Sequence, residues 1–142
     1  MVSSAADAGA DFGLAPFSPR AVLDSAQEMG WPFIPAVATI SEANYMLERG
    51  LTSLQLFPAN LLGGLRFLSA ISSVLPQVEF LSSGGVDESN LERYLESSKV
   101  FGVWGTWIAP RQLILDGNFE EIRERAFRAM VIAKRSEGAI AK

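Results

Sequence analysis

Two glycine-containing segments carry the residue types best suited to binding an anion. Ser83-Gly84-Gly85 and Gly105-Thr106 each follow an apolar run, and the first segment leads into a helical pattern that starts near Glu88. Backbone N–H groups at glycine-rich turns and helix N-termini attract phosphate without needing a charged side chain. The sequence therefore offers a phosphate cradle made of the backbone amides of both segments, with the hydroxyls of Ser83 and Thr106 as further donors.

A simpler interpretation of the same glycines is a tight turn between a strand and a helix, and the residues alone favour it. Trp104 directly precedes Gly105-Thr106 and also argues against a ligand, because its side chain can fill the space. Both interpretations stay open on the residues alone.

The composition excludes several kinds of chemistry. The 142 residues include no cysteine and no histidine, which excludes a disulfide framework, a thiolate zinc site and an imidazole base. A formal charge of −4 argues against a nucleic acid or an anionic membrane surface as the main partner. No basic segment followed by an apolar core opens the sequence, and no run approaches the ~18 apolar residues of a membrane span. We expect a cytoplasmic protein without a metal or cofactor.

Short apolar runs, each followed by a helical pattern, predict repeating strand–helix units. Runs whose centres are roughly 20–25 residues apart are typical of parallel βα units, so the predicted class is α/β. The predicted strands are Asp11–Ala15, Phe33–Val37, Ser53–Phe57, Val78–Leu81 and Val100–Trp104. The predicted helices are Pro19–Met29, Ser41–Arg49, Gly64–Leu75, Glu88–Glu96 and Phe119–Lys134.

Residues that favour helix ends support this pattern. Ser18, Ser41 and Asp87 are of the types that cap helix N-termini. Gly30 and Gly50 follow two of the predicted helices, where a glycine with positive φ commonly ends a helix.

The length of the chain limits how much of a larger fold it can form. A complete (β/α)8 barrel usually takes ~250 residues, whereas about five units fill this sequence, taken as one domain over residues 1–142. Ser3–Ala8 predicts the last turns of a helix that Gly9 ends, so we expect the chain to start inside a larger architecture. It is either a partial barrel that lacks its first three strands or an open sheet closed by association. Self-association is expected in both cases.

The ends of the predicted strands carry a series of short motifs. In order they are Ala8-Gly9-Ala10 before Asp11-Phe12, Ile34-Pro35 with Ala38-Thr39, Leu56-Phe57-Pro58-Ala59, Ser83-Gly84-Gly85 and Gly105-Thr106-Trp107. Together they resemble, at the same spacing, the 2-keto-3-deoxy-6-phosphogluconate (KDPG) / 4-hydroxy-2-oxoglutarate aldolase family. That resemblance implies part of a TIM-type barrel, a homotrimer, and reversible aldol cleavage that releases pyruvate through a Schiff-base lysine.

The resemblance also implies site residues. Pro35, Phe57 and Ser83 would contact pyruvate or a small phosphorylated 2-keto acid. The phosphate of the ligand would lie on Gly84, Gly85, Gly105 and Thr106. The residues alone equally permit an irregular strand at Pro35 and a core position for Phe57.

The sequence departs from the family pattern where catalysis would occur. Gln55 occupies the position of the Schiff-base lysine, Trp104 replaces a glycine, and the early strands with the family's glutamate and arginine are absent. A carboxamide cannot form an imine because its nitrogen lone pair is delocalised. Lys99 is predicted at the opposite end of the sheet, and Lys134 and Lys142 in the last helix and tail.

Three functional hypotheses follow. The chain is an aldolase relative that has lost catalysis and retains ligand binding, or it catalyses a reaction without an imine, such as enolisation through bound water. Alternatively, it is a non-enzymatic oligomeric or interaction module. In that case a partner chain could supply the missing strands and complete a barrel in trans.

Overall fold

The computed structural model describes residues 2–140, and the side chains of residues 2–136. Its helices are α1 (Val2–Asp7), α2 (Arg20–Glu28), α3 (Ile40–Glu48), α4 (Leu65–Val74), α5 (Leu91–Leu95), α6 (Arg111–Leu115) and α7 (Phe119–Ile140). Its strands are β1 (Gly13–Leu14), β2 (Phe33–Ile34), β3 (Ala36–Val37), β4 (Ser53–Leu56), β5 (Glu79–Ser83) and β6 (Val100–Trp104).

All strand pairs are parallel, and the strands pair in chain order. β1 pairs with β2, and β3, β4, β5 and β6 form a four-stranded sheet in that order. The predicted strand Phe33–Val37 is thus divided at Pro35 into β2, which pairs with β1, and β3, which pairs with β4. The predicted α/β class with consecutive parallel βα units is confirmed.

The core lies between the four-stranded sheet and the helices. Leu54, Leu56 and Phe80 are fully buried in it, as is Ile71 of α4, and Met46 of α3 is buried beside them. Because successive side chains of a strand point to opposite faces, the odd-numbered residues of β4 and β5 lie on the other face of the sheet. The apolar repeat of the strands therefore determines which side chains lie on the face away from the core, where they can form a binding site.

Several element boundaries differ from the prediction. β1 is limited to Gly13–Leu14, and β5 runs over Glu79–Ser83 rather than Val78–Leu81, so that Ser83 ends a strand. α5 begins at Leu91 rather than Glu88, because residues 88–90 form a turn. Helix α6 was not predicted, since its five residues are too few to show an apolar repeat.

Two of the predicted N-caps are wrong, and a third residue acts in a turn. Thr39, not Ser41, caps α3, and Ser18 Oγ donates instead to the carbonyl of Ala36 at 3.1 Å. Asp87 precedes α5 by several residues, and its carboxylate accepts from the backbone N–H of Ser89 at 2.9 Å. Gly30 and Gly50 follow α2 and α3 with φ of 62° and 79°, which confirms their predicted role.

Within residues 2–140, no helix combines the length and apolar character that crossing a membrane requires.

The cap of α3 gives a test of helix stability. Thr39 Oγ1 accepts from the backbone N–H of Glu42 at 3.2 Å, and Glu42 Oε2 accepts from the backbone N–H of Thr39 at 2.9 Å. Thr39→Ala removes the Oγ1 acceptor of this reciprocal pair while the backbone N–H at residue 39 stays, and it should lower the free energy of unfolding by about 1 kcal/mol. Urea unfolding measures the change, and Ser41→Ala in the same exposed turn is the matched control. A loss as large for Ser41→Ala as for Thr39→Ala would contradict this assignment.

Candidate active site

Gln55 lies at the centre of β4, on the face of the sheet opposite to the core. Its neighbours Leu54 and Leu56 point into the core, so alternation directs Gln55 to the other face. The residue is 0% exposed, and its Nε2 donates to Ser83 Oγ of β5 at 2.6 Å. Its Oε1 is buried without a hydrogen-bond partner among the described residues. The position predicted for the Schiff-base lysine thus holds a buried carboxamide with one unused acceptor.

A cleft of about 470 Å³ opens at the carboxyl ends of β5 and β6. Parallel strands bring their carboxyl ends to the same edge of a sheet, which is where ligands of such folds bind. Six of the predicted site residues line it together: Phe57, Ser83, Gly84, Gly85, Gly105 and Thr106.

Two predicted site residues lie outside the lining of this cleft. Pro35 is fully buried at the break between β2 and β3, where its carbonyl accepts from the backbone N–H of Gln55 at 2.8 Å. Gln55 contacts Ser83, which does line the cleft. The carboxamide therefore lies directly behind one wall of the cleft.

The turn after β5 requires both of its glycines. Gly84 and Gly85 have φ of 85° and 86°, which L side chains rarely adopt. A Cβ on Gly84 would lie 2.8 Å from Pro58 Cα, and one on Gly85 would lie 2.5 Å from Asn60 Cβ. The turn is held there because the backbone N–H of Asn60 donates to the Gly84 carbonyl at 3.0 Å. The close approach of the two loops accounts for the glycine pair without a ligand.

The backbone amides of the cleft are nevertheless free to bind. Among the described residues, the N–H groups of Gly84, Gly85 and Thr106 donate no hydrogen bond to other protein groups. Free N–H groups that line a concave surface form an anion-binding arrangement. The backbone donors of the predicted phosphate cradle are thus unbonded to protein and can face a ligand.

Two tryptophan side chains, Trp104 and Trp107, also line the cleft. Trp104 lines the cleft and stays 47% exposed, so it does not fill the space. A Cβ on Gly105 would overlap the ring of Trp107, which therefore covers this glycine. Only the close approach in three dimensions reveals this contact, and no sequence signal indicates it.

One negative charge lies at the cleft. Asp87 lines it, and hydrogen bonds from the Ser89 side chain and backbone lower the pKa of its carboxyl below the ordinary value. The carboxylate is turned towards Ser89, with Ser89 Oγ donating to Oδ1 at 2.6 Å. No basic side chain lines this cleft in the part of the chain that the structure describes. Anion binding here depends on backbone amides and hydroxyls.

The same residues offer little to a metal ion. Over the described residues, no group of three or more histidine, cysteine, aspartate or glutamate side chains could hold one.

The fold places the chain among α/β proteins built from consecutive parallel βα units. The family model described as "KDPG and KHG aldolase" matches residues 1–125. The chain belongs to this aldolase family.

Curated relatives and solved structures agree with this assignment. The KHG/KDPG aldolase of Escherichia coli strain K12 is 32% identical over 134 residues, which are 94% of this chain and 63% of that protein. The 2-dehydro-3-deoxy-phosphogluconate aldolase of Treponema pallidum is 36% identical over 81% of this chain and 55% of its own length. The chain therefore spans 55% to 63% of the length of these relatives.

Two solved aldolases carry informative ligands. The KDPG aldolase of Legionella pneumophila, with pyruvate captured as a covalent carbinolamine, is 38% identical, with a TM-score of 0.81. The match covers 89% of this chain and 60% of that one. The aldolase of Zymomonas mobilis ZM4, with 3-phosphoglycerate, is 30% identical, with a TM-score of 0.74, over 78% of this chain and 53% of that one.

The contact between Gln55 and Ser83 gives a stability test. Ser83→Ala leaves the buried Gln55 amide without any side-chain partner and should cost about 1–3 kcal/mol of unfolding free energy. Adding Gln55→Met removes the orphaned amide and should recover most of this loss. Urea unfolding of the two single variants and the double variant measures the coupling. Additive losses would show that the two side chains do not interact.

Proposed function

We propose that the chain binds pyruvate or a small phosphorylated 2-keto acid in the cleft and does not form a Schiff base with it. The free backbone amides of Gly84, Gly85 and Thr106 carry this proposal, because they supply donors where a phosphate would lie. The Zymomonas relative with 3-phosphoglycerate supports a phosphate ester as the ligand. The Ser83 hydroxyl lines the cleft and accepts a hydrogen bond from Gln55, so its own O–H can donate to the keto acid group of the ligand.

The absence of an amine at residue 55 supports the non-covalent part of the proposal. A carbinolamine, as captured in the Legionella relative, forms when an uncharged amine attacks the keto carbon. Gln55 presents a carboxamide, whose nitrogen already donates to Ser83. Its unused Oε1 can accept a hydrogen bond from a hydroxyl group or a water, which is a binding role.

The lysines of the chain support the same conclusion. Lys99 precedes β6, and its Nζ donates to the carbonyl of Pro76, at the end of the sheet away from the cleft. Lys134 is exposed on α7. Lys142 lies outside the described residues.

Association with another chain is a second candidate, which one observation favours. Among the described residues, β6 pairs only with β5, and its Phe101 is 44% exposed although it is a large apolar side chain. An unpaired parallel edge of this kind is suited to a further strand. A second copy, as a homo-oligomer, or a chain that completes the barrel could supply it.

Reductive trapping tests the loss of the Schiff base. After incubation with pyruvate and borohydride, the unaltered chain should gain no covalent adduct in intact-mass analysis. Gln55→Lys should gain one, because burial lowers the pKa of a lysine amine and its chain is one bond longer than that of glutamine. Glu79→Lys adds a lysine at an exposed position of β5 and controls for non-specific labelling. An adduct on the unaltered chain would overturn the proposal.

Charge placed at the cleft tests phosphate binding. Thr106 is exposed on the cleft, so Thr106→Glu should fold normally and repel a phosphate ester. We expect at least about a tenfold rise in the Kd for 3-phosphoglycerate, measured by calorimetry. Thr52→Glu adds the same charge directly before β4, at the opposite end of the sheet, and should leave the Kd unchanged. Equal affinity in both variants would place the ligand elsewhere.

A further inference from the structure

A second cleft, of about 190 Å³, lies at the N-terminus of α4 and is separate from the site described above. Residues of the β4–α4 loop, of the first turn of α4 and of α5 line it, including Gly64, Arg66, Arg93 and Tyr94. It shares no lining residue with the first cleft. A hydrogen bond links the two, since Asn90 Nδ2, on the second cleft, donates to the carbonyl of Gly85, on the first, at 2.9 Å.

The N-terminus of α4 is uncapped. Its N-cap residue, Gly64, has no side chain to accept from the helix, and no side-chain cap is present. Among the described residues, the backbone N–H groups of Leu65, Arg66 and Phe67 donate to no protein group. The first turn of a ten-residue helix therefore presents free donors at the positive end of its dipole.

The charge around these donors is positive. Arg66 and Arg93 both line the cleft, and neither forms an ion pair within residues 2–136. Among the residues whose side chains the structure describes, no acidic one lines it. In a chain with a formal charge of −4, two unpaired arginines beside a helix N-terminus are a local concentration of positive charge.

Tyr94 supplies a second, independent observation that points to a ligand. The residue is 3% exposed, yet its hydroxyl has no hydrogen-bond partner among the described residues. A Cβ on Gly64 would lie 2.9 Å from this oxygen, so the hydroxyl points at the start of α4. Buried hydroxyls nearly always have a partner. Burial raises the pKa of Tyr94 above its ordinary value.

We propose that this cleft is a second anion site, which binds a phosphate group on the free N–H groups of α4, the Tyr94 hydroxyl and the two arginines. The phosphate is inorganic phosphate or the phosphoryl group of a small phosphomonoester. Each of these groups offers an N–H or O–H donor to a phosphate oxygen. The site does not depend on the first cleft for its ligand.

Amide resonances test the site directly in the full chain. Titration with inorganic phosphate, and separately with glycerol 3-phosphate, should shift the Leu65, Arg66 and Phe67 amide signals to saturation. Arg93→Gln should raise the Kd about tenfold, because a charge-assisted hydrogen bond is lost. Tyr94→Phe should raise it several-fold without unfolding the chain. Arg20→Gln, in the first turn of α2, removes the same charge elsewhere and should have no effect.

The outcomes separate this proposal from the one for the first cleft. In Thr106→Glu the shifts at Leu65–Phe67 should persist while those at Gly84 and Gly85 are lost. Tighter binding of glycerol 3-phosphate than of inorganic phosphate would identify an organic phosphate as the ligand, and the reverse would identify the free ion. No saturable shift at Leu65–Phe67 with either probe would overturn the second site. Equal Kd values for Arg93→Gln and Arg20→Gln would also overturn it.

Discussion

The alternation of side chains along β4 is the constraint on which the rest of the structure depends. Leu54 and Leu56 are fully buried against the helices, and this fixes the register of β4 with β3 and β5. A shift by one residue would exchange these leucines for Gln55 and bury a carboxamide in the apolar core. The same register places Ser83 beside Gln55 and brings the turn after β5 to the edge where the cleft forms. Core packing and site geometry thus have a single origin.

The order of strands and helices could be predicted from the sequence because apolar periodicity is a local property. The break at Pro35 could not, since it depends on which neighbours the two halves of the strand pair with. The capping residue of α3 was misjudged for a related reason. Thr39 and Ser41 are equally suitable by type, and only the path of the backbone shows that Thr39 and Glu42 bond reciprocally.

The position of the first cleft was predictable, because the carboxyl ends of parallel strands lie at the same edge of the sheet. This geometry brings Phe57 and Ser83 together with the glycine turns, although they are distant in sequence. The cover that Trp107 provides over Gly105 was not predictable, because it arises from a loop that folds back on itself. The second cleft was also missed. Gly64 and Tyr94 lie in different βα units, and nothing in either segment indicates their contact.

The half-exposed indole of Trp104 gives the protein an optical reporter of its own cleft. Tryptophan emission depends on the polarity around the ring, and this ring stands at the surface where a ligand would enter. Trp31 reports on a different part of the fold, since its indole N–H donates to the carbonyl of Ala10 at 2.9 Å. Variants that keep only Trp104 or only Trp31 as their tryptophan can therefore report separately on occupancy of the cleft and on loosening of the first βα unit, without any attached dye.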